Sequence, residues 1–328
     1  MGMTVRLAIK VDVDTLRGHR EGVPNLLRLF DRTGIRASFF FSMGPDNSGK
    51  AVRRLLRPGF LTKMCRTKAP STYGWKTLLY GTLLPAPLIA GPNPQMLRDA
   101  VRSGHDCGIH AWDHVKWQDL LPRIPPEELA ADFDRACGLF EEIAGRAPRS
   151  CAAPGWQVTE ASLRMQERKG FLYCSDCRGR EPFLPVAEGE ALRTVQIPTT
   201  LPTLDECLGT PGTTDASLED AYLTLLRRAP ATSAAQDIPE PRTPKDQILH
   251  VHTVHAEMEG LSKLALFESF LTACRARGVR FTALDDVARA VELEKLPLCP
   301  VEKGTLPGRA GTVALQGDPI VPWMHRLA

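Results

Sequence analysis

Short apolar runs alternate along the chain with longer segments whose apolar residues recur every three or four positions. Residues 5–13 (VRLAIKVDV) alternate and are rich in branched side chains, so they read as a buried strand. Residues 20–33 (REGVPNLLRLFDRT) carry helical spacing and stop at Gly34, and residues 37–43 (ASFFFSM) form a second apolar strand. The same rhythm predicts helices over 94–102, 126–144, 159–169, 217–228, 263–277 and 283–293. It predicts strands over 106–110, 150–153, 171–175, 194–198, 247–254 and 279–282. About seven or eight such units imply a parallel sheet covered by helices, closed into a barrel or part of one.

Two stretches interrupt the rhythm. From Asn47 to Arg98 there is no aspartate or glutamate, while Lys50, Arg53, Arg54, Arg57, Lys63, Arg66, Lys68 and Lys76 are interleaved with residues such as Leu55, Phe60, Trp75, Tyr80 and Leu83. That mixture suits an element resting in the headgroup region of an anionic membrane. Prolines and glycines between 77 and 94 exclude an ordinary spanning helix. The alternative is a solvated basic insertion whose apolar residues pack on the barrel. Residues 229–246 (APATSAAQDIPEPRTPKD) read as a flexible surface loop, and the chain from 300 onward reads similarly. The expected organisation is one catalytic domain over 1–295, carrying an insertion at 47–98, and a tail over 296–328.

With 328 residues, 43% of them hydrophobic, the chain can bury a large core. A net charge of +3 gives no global electrostatic case for nucleic acid. Nine cysteines form no framework spacing, and the opening MGMTVRLAIKVDVD runs into the first strand without a signal-peptide pattern, so a reducing cytoplasm is expected. Cys174-Ser175-Asp176-Cys177 is a single C-x-x-C with no second pair to complete a zinc site, and it reads as two reduced thiols near a strand end.

Chemistry concentrates in residues 104–114 (GHDCGIHAWDH). If a helical turn begins at His110, then His110 and His114 share a face and can reach one divalent cation. Two histidines are not a site, and the third ligand is expected from Asp12-Val13-Asp14. Both aspartates emerge at the C-terminal end of the first strand, where catalytic groups collect in parallel α/β folds. The competing reading of that pair is a helix cap and an ion pair with arginine.

In order and spacing, Asp12-Val13-Asp14, Gly104 to His114, Ala153-Pro154-Gly155-Trp156 and Thr253-Val254-His255 resemble the motifs of the polysaccharide deacetylase superfamily, the NodB-homology hydrolases. The resemblance spans most of residues 5–290. It implies a distorted (β/α)7-type barrel and a metal-dependent amide hydrolase. One divalent ion, zinc, manganese, cobalt or nickel, would be held by Asp14, His110 and His114. Asp12 would serve as general base and His255 as general acid. His250 and His252 compete for the acid role, but they lie earlier in the strand and on its opposite face. The family usually carries an arginine in the third motif, where this chain has Ala152. Arg178, with Arg149 behind it, is the expected source of the charge that pairs with Asp12.

A narrower likeness rests on residues 12–24, 41–47, 110–114, 175–179, 196–206 and 255–260. These are similar to the deformylases that act on 4-deoxy-4-formamido-L-arabinose carried on undecaprenyl phosphate and release formate. The resemblance implies a role in lipid A modification and polymyxin resistance, and an enzyme peripheral on the inner face of the inner membrane. It further implies that Arg17, Arg20 and Arg178 meet the lipid phosphate, that Asp176 and Glu257 orient His255, and that Trp112 and Trp156 complete the substrate contacts. Two alternatives stay open. One is another hydrolase of the superfamily, a polysaccharide or peptidoglycan deacetylase or a cyclic amidase. The other is a non-catalytic lipid-binding protein that kept the fold, for which Ala152 is the sign.

Overall fold

The first predicted strand organises the molecule. In the computed structural model, which describes residues 4–51, 76–208, 213–228, 230 and 247–320, that strand is β1 (Thr4–Val13). Its alternation divides its side chains between two layers. Leu7, Ile9, Val11 and Val13 are fully buried on the outer face, in one cluster with Leu26, Leu29 and Phe30 of α1 (Val23–Thr33). Ala8 packs on the inner face with Phe40, and Lys10 and Asp12 share that face by the same period.

Beside β1 lie, in order, β2 (Ser38–Phe41), β3 (Asp106–Ile109), β4 (Ser150–Cys151) and β5 (Tyr173–Cys174). The chain then makes β6 (Leu184–Ala187) and β7 (Glu190–Ala191) in another sheet before β8 (Val195–Gln196) pairs with β5. On the far side of β1 runs β9 (Gln247–His255), and β10 (Arg280–Thr282) pairs with Arg6 to Ala8. All these pairings with the main sheet are parallel. Past β8, Thr200 N–H and Leu201 N–H donate to Val251 O, and the Thr199 and Thr253 hydroxyls meet at 2.7 Å. The sheet therefore curls until its two ends touch, as the predicted barrel requires.

Helices cover the outside: α2 (Gln95–Arg102), α3 (His114–Leu120), α4 (Pro126–Ala144), α5 (Glu160–Lys169), α6 (Leu204–Cys207), α7 (Asp215–Leu225) and α8 (Leu264–Ala276). Local sequence sets their limits. In α4, Pro126 opens the first turn beside Glu127 and Glu128, and Gly145 closes it in the left-handed conformation. In α5, Thr159 and Ser162 exchange capping hydrogen bonds. The last helix, α9 (Leu284–Ala290), seals the N-terminal end of the barrel. Its Leu284 N–H donates to Ser38 Oγ, and Leu284, Val287 and Ala288 pack with Ala8, Phe40 and Ala152.

Residues read from the sequence as a tail are instead β11 (Leu298–Gly304) and β12 (Val313–Gln316). With β6 and β7 they make a second, four-stranded sheet. Pro300, Gly304 and scattered charges hide these strands from a periodicity argument, because pairing with β6 rather than burial defines them. All but Pro230 of the loop expected over 229–246, and the middle of the expected insertion, residues 52–75, lie outside the described residues. Where the insertion returns, Leu83, Leu84 and Leu88 are 80%, 37% and 46% exposed. Among the described residues no helix is long and apolar enough to cross a membrane.

Several histidines serve the core. His105 packs against Phe30 and Phe39, accepts from Ala37 N–H, and is held down to about 4 by burial and by Arg36. Its folded pKa lies below the unfolded value of about 6.5, so the unfolded chain gains the proton first as pH falls. Stability is therefore lost from about pH 6.5 down to about pH 4, by at most about 1.4 kcal/mol per pH unit. His105→Gln should show a shallower loss than the unsubstituted protein across that window, measured by urea unfolding at several pH values. Equal slopes would mean that His105 is not held neutral.

Candidate metal centre and catalytic site

The side chains singled out by sequence gather at the carboxyl ends of the strands. Asp14 follows β1, and its position is fixed by Glu257. Glu257 Oε1 accepts from Asp14 N–H at 3.1 Å, Thr15 N–H at 2.8 Å and the Thr15 hydroxyl at 2.8 Å. His110 follows β3, whereas His114 is the first residue of α3. The pair does not lie on one helix, as the spacing suggested. Ala111 takes a left-handed conformation (φ 72°) and Asp113 caps α3 by accepting Lys116 N–H at 2.9 Å, so a strand end and a helix start bring the imidazoles together. Their ring centroids are 5.2 Å apart.

Asp14 Oδ1 stands 3.3 Å from His110 Nε2 and 3.5 Å from His114 Nε2, and one donor atom from each residue lies within 4.8 Å of the others. His110 Nδ1 is 2.8 Å from the Ala152 carbonyl. A carbonyl only accepts, so the proton is on Nδ1, and a neutral His110 turns its Nε2 lone pair toward the carboxylate. Asp14 Oδ1 is buried and makes no hydrogen bond of good geometry. An orphaned carboxylate oxygen facing an imidazole lone pair is repulsive without a cation, and the Ala152 carbonyl supplies the outer-shell contact typical of metal-binding histidines. One oxygen and two nitrogen donors fit a divalent ion of the zinc, manganese, cobalt or nickel class.

The strand register sets Asp12 opposite His255, and Ala256 N–H donates to Asp12 O at 3.0 Å. Asp12 is buried. Its Oδ2 accepts from Lys10 Nζ at 3.0 Å, and its Oδ1 has no hydrogen bond. Burial opposes the charged form of His255, but the carboxylates of Asp14, Asp205, Glu259 and Asp12 outweigh it and raise the pKa. Glu259 accepts His255 N–H at 2.8 Å and is itself pushed up to about 7 by burial. Burial, then the charge of Asp14, likewise pushes Glu257 up. Two π-helical turns, Gly18–Gly22 after β1 and Met258–Ser262 after β9, pack directly on each other. A Cβ at Gly22 would fall 2.0 Å from Ala256 O, and one at Gly18 would fall 2.0 Å from Glu257 Oε1, so only glycine permits the contact.

Residues 7–174 match the polysaccharide deacetylase family. A relative from Shewanella sediminis, named probable 4-deoxy-4-formamido-L-arabinose-phosphoundecaprenol deformylase ArnD, is 36% identical over 96% of this chain and 96% of its own length. The chain belongs to the polysaccharide deacetylase family. A second relative of the same name, from Wigglesworthia glossinidia brevipalpis, is 32% identical over 91% of this chain and 98% of its own. The solved structure of a probable polysaccharide deacetylase from Pseudomonas aeruginosa shares the fold with a TM-score of 0.58, at 16% identity, over 88% of this chain and 90% of that one.

Several other expected residues serve different partners. Arg178 does not pair with Asp12. Its Nη1 meets both Glu206 oxygens at 2.8 and 3.0 Å and its Nη2 the Leu201 carbonyl at 2.9 Å, because β12 binds the Arg178 backbone through Ala314 O and Gln316 N–H. Arg149 is exposed at the far end of β4. Asp176 does not orient His255. It is fully buried, accepts from Gln196 Nε2 at 2.8 Å, and burial pushes it up to about 6. The hydrogen bonds of Glu257 go to the Asp14–Thr15 turn rather than to His255. Trp156 is 2% exposed and enclosed by Lys10, Arg178 and Arg309, with Arg309 4.5 Å from its ring centroid, so it supports the site from beneath. Trp112 is half-buried, and its carbonyl accepts Gly44 N–H. Arg17 pairs with Glu21 at 3.2 Å, and Arg20 is exposed on the first π turn. His250 bonds to the Arg228 carbonyl, and His252 packs on Tyr222 and Phe270, both away from the centre.

The sequence reading missed Lys10, Asp205, Glu259 and Arg309. Lys10 left a signal, a lysine on the Asp12 face set between apolar Leu7–Ile9 and Val11. The loop that starts the insertion is also tied to the centre: Asp46 Oδ2 accepts Leu16 N–H at 2.9 Å, and Asn47 Nδ2 donates to Asp113 Oδ2 at 2.6 Å. Asp14→Ala and His110→Ala should each weaken divalent-ion binding by more than about 100-fold, measured by equilibrium dialysis with elemental analysis. Unchanged stoichiometric binding in either variant would remove these residues from the ligand set.

Proposed function

We propose that the chain is a metal-dependent deformylase that hydrolyses 4-deoxy-4-formamido-L-arabinose carried on undecaprenyl phosphate, yielding the amino sugar lipid and formate. The observation that carries the chemistry is the adjacency of Asp12 and His255 on paired strands, beside the converging Asp14, His110 and His114. The substrate rests on the names of the two relatives that align with nearly the whole chain.

A bound divalent ion supplies Lewis acidity toward the formyl carbonyl and toward water. Asp12, outside the ligand set, accepts the proton of the attacking water through its unoccupied Oδ1. Water adds to the formyl carbon, the C–N bond breaks, and the nitrogen leaves with a proton. His255 gives that proton: its surrounding carboxylates keep it protonated to higher pH than an ordinary imidazole. Glu257 and the capped start of α3 hold the ligands in register while this happens. Arg17 and Arg20, on the turn after Asp14, are assigned to the lipid phosphate. The reading puts the protein on the inner face of the inner membrane, with exposed Leu83, Leu84 and Leu88, and exposed Lys76 shortly before them in sequence, touching an anionic surface. Its product would enter lipid A modification, which underlies resistance to polymyxin.

Purified protein should release formate from the formamido-arabinose lipid, stop when a chelator is added, and recover on restoring metal. Asp12→Asn should keep its metal and lose roughly 10²- to 10⁴-fold in kcat. Acetate released from the N-acetyl analogue, with no formate from the formamido lipid, would replace the deformylase assignment with another amidase.

A further inference from the structure

Lys10 enters the barrel interior from β1 and is completely buried. Its Nζ lies 3.0 Å from Asp12 Oδ2, 5.7 Å from the Phe40 ring centroid and 5.3 Å from that of Trp156. Taking either of these groups out of water is costly unless the two are paired, as they are here. The pair is therefore mutually dependent. A second buried carboxylate, Asp176, also feels the Lys10 charge. The guanidinium groups nearby are committed elsewhere, since Arg178 and Arg309 both reach Glu206. Position 152, just past β4, offers only a buried methyl group.

We infer that Lys10 is the positioning residue of Asp12. It pins Oδ2, leaves Oδ1 as the single oxygen able to take a proton from water, and supplies from β1 the positive charge that Ala152 does not supply from the end of β4. Both flanking rings restrict the ammonium: the aromatic faces attract it and bar it from swinging away from Asp12. Neighbouring positions on one strand face fix the spacing, because residues 10 and 12 are two apart. The inference rests on the role proposed above for Asp12.

Lys10→Met removes the charge and keeps the apolar stem. Formate release should fall about 100-fold or more in kcat while KM changes by less than about threefold, with metal content intact, and Lys10→Arg should recover at least about tenfold. A purely structural role would instead lower metal content, thermal midpoint and KM performance together, without relief by arginine. Lys10→Met activity within about threefold of the unsubstituted protein, or a loss that Lys10→Arg does not relieve, overturns the inference while formate release by the unsubstituted protein leaves the deformylase reading standing. An unsubstituted protein that releases no formate overturns both. Should Lys10→Met fail to fold, Lys10→Met/Asp12→Asn decides: recovered folding and metal binding support the pairing, and continued failure makes Lys10 a core residue and overturns it.

Discussion

Asp14 Oδ1 lies where water is scarce, facing the ring nitrogens of His110 and His114 at 3.3 and 3.5 Å. That arrangement is held together from outside rather than by attraction among its own atoms. Three donors converge on Glu257 to set the turn after β1, a left-handed Ala111 turns the chain between the two histidines, and the Ala152 carbonyl fixes the His110 tautomer. Each support costs something locally, whether backbone strain or a buried carboxylate. Such costs persist at sites where geometry serves chemistry.

The barrel was legible because one strand carries both of its layers. The pattern of residues 5–13 announces apolar residues on one face, and the same period places Asp12 and Asp14 at the strand's exit. The cluster of Asp14, His110 and His114 could be read as well, since H-x-x-x-H and D-x-D each restrict the options. The path between the histidines could not. A helix and a strand-to-helix junction both bring residues four apart together, and the choice depends on Ala111 adopting an uncommon conformation.

Charge pairing was the least legible level. Arg178 is close to Asp12 in any motif-based expectation, yet β12, more than 130 positions later, captures its backbone and turns the guanidinium to Glu206. In the second sheet that does this, Pro300, Gly304 and the charges of β11 break any period. Lys10 was overlooked for the opposite reason. It sits inside the most confidently apolar segment, where a lysine reads as a lapse in the pattern instead of a buried partner for an acid two positions on.

Asn47 and Asp113 link the mouth of the insertion to the helix that begins with His114. One carboxylate thus serves two masters, with Oδ1 terminating α3 and Oδ2 anchoring the departing loop. That anchor adds to the backbone bonds from Met43 and Gly44 that join the same loop to the Ala111–Trp112 turn. The first residues of the insertion and the helix that opens with His114 thereby share one support, so the side chain of Asp113 cannot be changed for one without disturbing the other.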